Sequence, residues 1–119
     1  MKLPPYIMKR VFICSPFAGD VEGNMELARD LCRLAIEDGH APFAPHLLYP
    51  GIVDDSNIKD RELGITCGLC FLDACDEVWA YVGRGQTPGM AQELAYARNT
   101  GKRIRYINGL TFTQEKLQA

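Results

Sequence analysis

The chain has 119 residues, a formal net charge of −2, 47% hydrophobic residues and 24% charged residues. This length predicts one domain with a single core, and the slightly acidic balance argues against a nucleic-acid partner, because phosphate contacts need a basic face. No apolar run approaches the roughly 20 residues of a membrane span, and the first residues lack an apolar signal core, so we expect a cytoplasmic protein without a membrane partner.

The first half of the chain alternates strand and helix patterns. Residues 10–14 are typical of a short buried strand. From residue 24 to residue 38 the apolar side chains recur at helical spacing, and Gly39 ends that helix. Residues 41–44 predict a second short strand. The following segment, 45–57, is rich in proline, glycine, aspartate and asparagine, which predicts a loop.

The second half continues this alternation. Residues 58–74 predict a helix that Gly64 and Gly68 could interrupt. Cys67 and Cys70 form a C-x-x-C within it, but no further ligands stand at zinc-binding spacing, so we expect buried thiols and no metal. The odd number of cysteines, five, argues against a disulfide framework. Downstream we predict a strand at 77–82, a helix at 88–100, a strand at 103–107 and a final helical turn in the tail from Leu110.

Strands that alternate with helices of this length predict βαβ units and a mainly parallel sheet with helices on both faces. In such sheets ligands bind in a crevice beyond the carboxyl ends of the strands. Three segments follow strands at that edge, namely 15–24, 45–57 and 83–93. We therefore expect them to converge on one ligand site.

The run from Gly85 to Ala97 contains the strongest functional signal. It combines a turn, a helix start and one acidic residue, Glu93, four positions after Gly89. The amino end of a helix favours an ionised carboxylate, and an ionised carboxylate in a crevice can attack a sugar carbon. A solvated or capping glutamate early in the helix is the alternative interpretation.

Four blocks of sequence, taken in order, resemble a known family. They are Val-Phe-Ile-Cys-Ser-Pro-Phe-Ala-Gly-Asp, Ala-Pro-His-Leu-Leu-Tyr-Pro, Cys-Asp-Glu-Val-Trp and Gly-Met-Ala-Gln-Glu-Leu-Ala-Tyr-Ala. The resemblance spans roughly residues 9–107 and is to an uncharacterised family often met in phages and mobile elements. That family is related to the nucleoside 2-deoxyribosyltransferases and the deoxynucleoside monophosphate N-glycosidases.

The resemblance implies a single-domain, three-layer α/β sandwich over residues 1–119, with a mainly parallel sheet of four to five strands and flavodoxin-like winding. It implies that Glu93 is a nucleophile that attacks the anomeric carbon and expels the base, as in retaining glycosidases. Gly89, Glu93, Leu94 and Ala97 match the relatives' motif position for position. Water or a second base would then accept the sugar.

Thr87 stands where the relatives contact the 5′ end of the sugar. The nucleoside enzymes carry aspartate there and the monophosphate enzymes carry serine, so a neutral hydroxyl leans towards a phosphorylated ligand. Capping of the helix that begins at Pro88 is the competing role, and both can hold.

Two positions depart from the catalytic relatives. A tyrosine that positions the nucleophile aligns with Phe12, and an aspartate that handles the base aligns with Gly68. Protonation of the departing base would then fall to Asp60, Glu62 or His46. These departures favour an altered substrate, or a binding module without catalysis.

The sequence therefore predicts an enzyme that cleaves or transfers at an N-glycosidic bond, or a non-catalytic module that binds a nucleotide-derived ligand. We expect a small nucleoside or nucleotide ligand, no cofactor, and a homodimer or larger assembly, for which Ile65, Leu69 and Leu72 offer an apolar surface unless they are internal. Trp79 and Tyr81 are expected to pack in the core. Tyr49 is expected to stack on the base of the ligand. Arg61 and Arg84 are expected either to bind a phosphate or to lie on the surface. His46 is expected either to exchange protons or to bind a backbone group. The predicted catalytic residue is Glu93, and the predicted substrate-binding residues are Ser15, Pro16, Phe17, Gly19, Asp20, Asn24, His46, Thr87, Gly89 and Met90.

Overall fold

A computed structural model describes residues 4–112, in which strands and helices alternate along the chain. The prediction of a helical turn in the tail from Leu110 is wrong for Thr111–Phe112, because these residues form a strand that pairs with the preceding one. The rest of that tail lies outside the described residues. The strands are β1 (Arg10–Cys14), β2 (Ala41–Phe43), β3 (Glu77–Tyr81), β4 (Arg103–Asn108) and β5 (Thr111–Phe112). The helices are α1 (Val21–Glu37), α2 (Ile58–Ala74) and α3 (Pro88–Asn99), and short 3-10 turns cover Pro5–Ile7 and Pro45–Leu47.

The strands form one sheet in the order β2-β1-β3-β4-β5. The first four run parallel and β5 is antiparallel to β4. After β2 the chain crosses to the other side of β1, so the winding reverses between β1 and β3. This is the flavodoxin-like order, and it confirms the predicted winding and places the switch point beside the ends of β1 and β3.

The sheet is the middle of three layers, with helix α1 on one face and helices α2 and α3 on the other. Successive residues of β1 face opposite sides: Val11 and Ile13 belong to the core that α1 covers, whereas Phe12 and Cys14 belong to the core beneath α2 and α3. Trp79 is almost fully buried on the α1 side, with Tyr81 packed against the same cluster, as predicted. The predicted three-layer α/β sandwich is therefore confirmed.

The start of α1 lies three residues before the predicted one. Asp20 caps the helix by accepting a hydrogen bond from the backbone N–H of Gly23 at 3.1 Å. The first turn carries few apolar residues, so the helical periodicity that predicts the element becomes visible only from Asn24 onward. Gly39, with φ of 83°, follows the helix as predicted and adopts the left-handed backbone that favours glycine.

Helix α2 runs without interruption through its two glycines, contrary to the suggested break. A Cβ built on Gly68 would lie 3.5 Å from the Cβ of Pro45, and one built on Gly64 would lie 3.3 Å from a methyl of Val53. The glycines therefore let the segment between β2 and α2 lie directly against the helix. This contact forms one wall of the site described below.

The C-x-x-C pair is not buried. Cys67 and Cys70 are free thiols exposed on the outer side of α2, because the helix turns Leu72 into the core instead. Leu69 packs against the same core, so this part of the apolar surface proposed for assembly is internal. Within residues 4–112 no three potential metal ligands cluster, and no helix there is long and apolar enough to cross a membrane.

Candidate active site

A cleft of about 320 Å³ opens at the carboxyl end of the sheet, a size within the range that holds small ligands. Its walls come from the β1–α1 loop, the β2–α2 segment, helix α2 and the first turns of α3. The lining residues are Phe17, Ala18, Pro45, His46, Tyr49, Pro50, Val53, Asp55, Arg61, Gly64, Ile65, Gly68, Thr87, Pro88, Gly89, Gln92 and Glu93.

All three segments expected to converge do reach this cleft. The fourth wall, made by α2, was not predicted. Because α2 is apolar around much of its circumference, the sequence does not indicate which side faces a ligand. The structure turns Ile65 towards the cleft, so this residue too is unavailable to an assembly surface.

His46 joins two of these walls. Its Nε2 donates to the backbone carbonyl of Ser15 at 2.8 Å, and its ring lies against that of Phe17 with 5.1 Å between centroids. Burial lowers the pKa of His46, although the bond to Ser15 and the nearby Asp55 oppose that shift. The neutral imidazole therefore ties the proline-rich segment to the β1–α1 loop, which is the backbone-binding role allowed for it above.

Asn24 joins the β1–α1 loop to the β3–α3 loop. Its amide Nδ2 donates to the carbonyls of Phe17 at 3.0 Å and Ala18 at 3.2 Å, while its Oδ1 accepts from Arg84 at 2.8 Å. The buried amide thus holds both loops from behind the cleft. Arg84 is committed to this link, which leaves Arg61 as the arginine in the lining.

Glu93 lies in the second turn of α3 and is only 7% exposed. Its Oε1 has no hydrogen-bond partner among the described residues. Burial raises the pKa of Glu93 to about 8, and a hydrogen bond from the Cys14 thiol opposes part of that rise. A buried and unsatisfied carboxyl at the wall of a cleft is costly to stability.

This pKa contradicts the expectation of an ionised carboxylate in the free protein. The helix dipole acts mainly within the first turn, and Glu93 stands one turn further along, where loss of water is the stronger influence. At neutral pH the side chain is mostly protonated when the cleft contains no ligand.

Thr87 caps a helix and lies in the lining of the cleft. Its side chain caps α3 by accepting from the N–H of Met90 at 3.2 Å, and the residue also lines the cleft beside Gly89. The amino end of α3 therefore borders the ligand space, where backbone N–H groups and the helix dipole favour an anion. Arg61, on the facing helix, adds a positive charge to the same lining.

Five of the predicted site residues line the cleft, and the other six do not. Ser15 and Pro16 are buried, with the Ser15 Oγ unpartnered within the described chain, and Met90 is buried in the core. Gly19 forms a turn with φ of 98°. The lining residues are Phe17, His46, Thr87, Gly89 and Glu93, and the residues outside the lining are Ser15, Pro16, Gly19, Asp20, Asn24 and Met90.

The candidates for handling the base are placed differently. Asp60 accepts from the N–H of Asp54 at 2.9 Å near the start of α2, and Glu62 is exposed on that helix; neither lines the cleft. Asp55 does line it, as does Tyr49. A survey of ionisable residues in the 45–57 segment would have found Asp55. Gln92 was also missed, because its inclusion depends on the rotation of α3.

Comparisons with known proteins give a family match and two solved structures of similar fold. A family described as a domain of unknown function, DUF7768, matches residues 9–107, and no curated protein matches. A solved 2-deoxyribosyltransferase from Bacillus psychrosaccharolyticus is similar with a TM-score of 0.67 and 18% identity, over 82% of this chain and 70% of that one. A 2-deoxyribosyltransferase from Leishmania mexicana gives a TM-score of 0.58 and 20% identity, over 84% of this chain and 64% of that one.

Proposed function

The chain belongs to the DUF7768 family, and from this premise and the geometry of the cleft we propose that it processes a nucleoside or nucleotide. In this proposal Glu93 is the nucleophile that cleaves or transfers at the N-glycosidic bond. The similarity to two solved 2-deoxyribosyltransferases supports the substrate class by analogy of fold.

One observation carries this proposal, namely the buried carboxyl of Glu93 at the wall of the cleft with Oε1 unpartnered in the described chain. Proteins rarely leave such an oxygen unsatisfied, because its burial costs roughly 1–3 kcal/mol. A ligand in the cleft would give that oxygen a partner, and strongly perturbed carboxyl groups in clefts are typical of functional sites.

The proposed reaction has two steps. An ionised Oε of Glu93 bonds to the anomeric carbon while the bond from that carbon to the base nitrogen breaks, and its electron pair leaves with the base. The base takes a proton, for which Asp55 in the lining is the candidate side chain. Water, or a second base, then attacks the anomeric carbon and gives its proton to the Asp55 carboxylate, while the bond from that carbon to Glu93 breaks and releases the Glu93 carboxylate.

Only the ionised form of Glu93 can attack. With its pKa raised to about 8, a minority of free molecules carry the reactive carboxylate at neutral pH. The rate of base release at low substrate concentration should therefore rise with pH and level off above about pH 8, because this quantity reports the free enzyme.

A phosphorylated ligand fits the lining better than a neutral one. Arg61 and the amino end of α3, capped by the uncharged Thr87, would face the phosphate. Tyr49, across the cleft, would stack on the base. We infer that the monophosphate is the preferred form of the substrate.

Ligand binding without turnover is the second candidate function, and the protonated state of Glu93 favours it. A neutral carboxyl can donate a hydrogen bond to a ligand oxygen or nitrogen without any covalent chemistry. The residues at the helper positions agree with this, since Phe12 has no hydroxyl and Gly68 has no side chain. Such a module would gain about 2.7 kcal/mol of stability at a ligand concentration of one hundred dissociation constants.

The decisive experiment measures free base by chromatography. Purified protein is incubated with a panel of nucleosides, their 5′-monophosphates and NAD, beside the variants Glu93→Gln and Glu62→Gln. Glu62 is exposed on α2 and outside the lining, so it controls for loss of a carboxylate. We expect release by the native chain and by Glu62→Gln, and a loss of at least about a thousandfold in Glu93→Gln.

The outcomes separate the two functions. Equal release by Glu93→Gln and the native chain would remove Glu93 as the nucleophile. Thermal stabilisation by one member of the panel, without base release at any pH, would establish the binding module in place of the enzyme. A mass increase of one sugar unit on the native chain, absent from Glu93→Gln, would identify the covalent intermediate directly.

A further inference from the structure

Cys14 lies at the contact between the central strand and the helix that carries Glu93. It is the last residue of β1, it is fully buried, and its Sγ donates to the backbone carbonyl of Met90 at 3.8 Å. Met90 precedes Glu93 by three residues on α3, so the two stand on the same side of the helix in adjacent turns. The thiol is therefore beside the base of the glutamate side chain.

The neighbouring thiol also affects the pKa of the carboxyl group. Burial is the main cause that raises the pKa of Glu93, and the hydrogen bond from Cys14 acts in the opposite direction by favouring the carboxylate. Burial first, and then the neighbouring Glu93, raise the pKa of the Cys14 thiol well above its ordinary value. The thiol consequently stays protonated at neutral pH, where it is a hydrogen-bond donor and not a nucleophile.

Cys14 supplies a hydrogen-bond donor on the face of β1 where Phe12 has none. Alternate residues of a strand share a face, so Phe12 and Cys14 both point towards α2 and α3. The ring of Phe12 packs near that of Phe43, with 6.0 Å between centroids, and offers no polar atom. Cys14, two residues closer to the carboxyl end, places its donor next to α3.

We propose that Cys14 is a positioning residue that holds the Glu93 carboxyl and stabilises its ionised form. Its single proton is directed to the Met90 carbonyl when Glu93 is protonated, and to the carboxylate when Glu93 is ionised. The effect of Cys14 on the titration of Glu93 does not depend on the reaction, whereas its effect on the rate of base release rests on the proposed function.

The test measures the titration of Glu93 directly. Protein containing glutamate labelled with carbon-13 at the side-chain carboxyl is titrated by NMR, and the Glu93 signal is assigned by its absence in Glu93→Gln. Three variants are compared with the native chain: Cys14→Ala, Cys14→Ser and Cys75→Ala. Cys75 is a matched control, because it is a buried thiol in the same apolar cluster without an interaction with Glu93.

We expect Cys14→Ala to raise the pKa of Glu93 by about one pH unit, since the charged form loses a hydrogen bond. Cys14→Ser should keep the native value or lower it, because a hydroxyl is the stronger donor. Cys75→Ala should change nothing. An unchanged titration in Cys14→Ala, or a rise that serine fails to reverse, would overturn the proposal.

Base release separates this proposal from the proposed function. At neutral pH we expect Cys14→Ala to release base about tenfold more slowly, with its pH profile displaced upward by the same interval as the titration. A displaced titration, with no base release by any variant, would retain the role of Cys14 towards Glu93 and refute the enzyme. Base release by the native chain, with the same Glu93 titration in Cys14→Ala and the native chain, would support the enzyme and refute the role of Cys14.

Discussion

Two buried glutamates lie at opposite ends of the parallel sheet, and they are treated in opposite ways. Glu77, the first residue of β3, is 2% exposed and accepts a hydrogen bond from the indole Nε1 of Trp79 at 2.9 Å. Its Oε2 also lies 3.9 Å from Lys9 Nζ and 4.0 Å from an Arg103 nitrogen. Glu93, at the carboxyl end, is nearly as buried but leaves Oε1 without a partner in the described chain.

The two carboxyl groups differ in how their burial is compensated. Glu77 is surrounded by a donor and two cations, so its burial is compensated within the fold and it joins strands and core. For Glu93, the effect of burial outweighs the opposing influence of the Cys14 thiol, so the pKa of this carboxyl is raised. The two ends of the sheet therefore differ: the glutamate at the amino end is hydrogen-bonded and lies near two cations, whereas one oxygen of the glutamate at the carboxyl end has no partner in the described chain.

The largest expected effect on stability is the pH dependence that Glu93 imposes. In the unfolded chain this carboxyl titrates near 4.5, whereas in the folded protein its pKa is raised to about 8. Between these values the folded state binds one proton more than the unfolded state, so stability falls as pH rises. The full difference corresponds to at most about 5 kcal/mol.

Replacement of Glu93 by glutamine should remove this dependence. Near pH 5 we expect Glu93→Gln to match the native chain within about 1 kcal/mol, and near pH 8 to exceed its free energy of unfolding by several kcal/mol. Urea unfolding at both pH values measures the difference, with Glu62→Gln as the exposed control. A variant that gains nothing at the higher pH would show that Glu93 ionises without penalty, and the contrast with Glu77 would fail.

The second prediction concerns Glu77 and has the opposite sign. Glu77→Ala removes the acceptor for the Trp79 indole and the negative charge beside Lys9 and Arg103, and we expect a loss of about 2–3 kcal/mol. Glu77→Gln keeps an oxygen for the indole and should lose roughly half as much. Urea unfolding gives both values, and base release by the surviving folded protein should be unchanged. If Glu77→Ala raised the free energy of unfolding, the burial of Glu77 would also destabilise the folded protein.

Much of the fold could be predicted because local periodicity and tertiary packing agree. The buried strands are short apolar runs in the sequence. Helices α2 and α3 begin at the predicted residues, directly after the capping residues Asn57 and Thr87. The start of α1 was missed because its cap, Asp20, precedes residues without apolar spacing. The alternation of strands and helices predicts the parallel sheet, whereas the flavodoxin-like strand order was implied only by the family resemblance.

The site was less predictable for a physical reason. Topology indicates which segments reach the carboxyl end of the sheet, but not which side chains turn towards the ligand. Asn24 is an example. The sequence shows an asparagine at this position, but it does not distinguish a buried amide that supports two loops from an amide that contacts a ligand. The exposure of Cys67 and the place of Arg61 both depend on the rotation of α2, which an apolar helix does not reveal. The pKa of Glu93 depends on burial and therefore required the structure.

The smallest expected effect lies beside Glu93, at the cap of α3. Thr87→Val removes the hydroxyl that accepts from the N–H of Met90, and we expect a loss of about 1 kcal/mol in unfolding free energy. Thr87→Ser and Thr87→Asp both restore a capping oxygen and should unfold within about 0.5 kcal/mol of the native chain. Stability alone therefore tests only the structural role of this residue.

Thr87→Asp tests the ligand role, because it retains the cap and adds a negative charge. If a phosphate lies at the amino end of α3, the aspartate repels it, and the preference for a monophosphate over its nucleoside should fall at least about tenfold. Base release, or thermal stabilisation where no release occurs, measures that ratio, and Thr87→Ser should leave it unchanged. An equal ratio in Thr87→Asp would place the phosphate elsewhere in the cleft and restrict Thr87 to capping. If Thr87→Asp lowers the preference for the monophosphate, the phosphate binds at the amino end of α3, on the same side of the sheet as the unpaired Glu93 carboxyl.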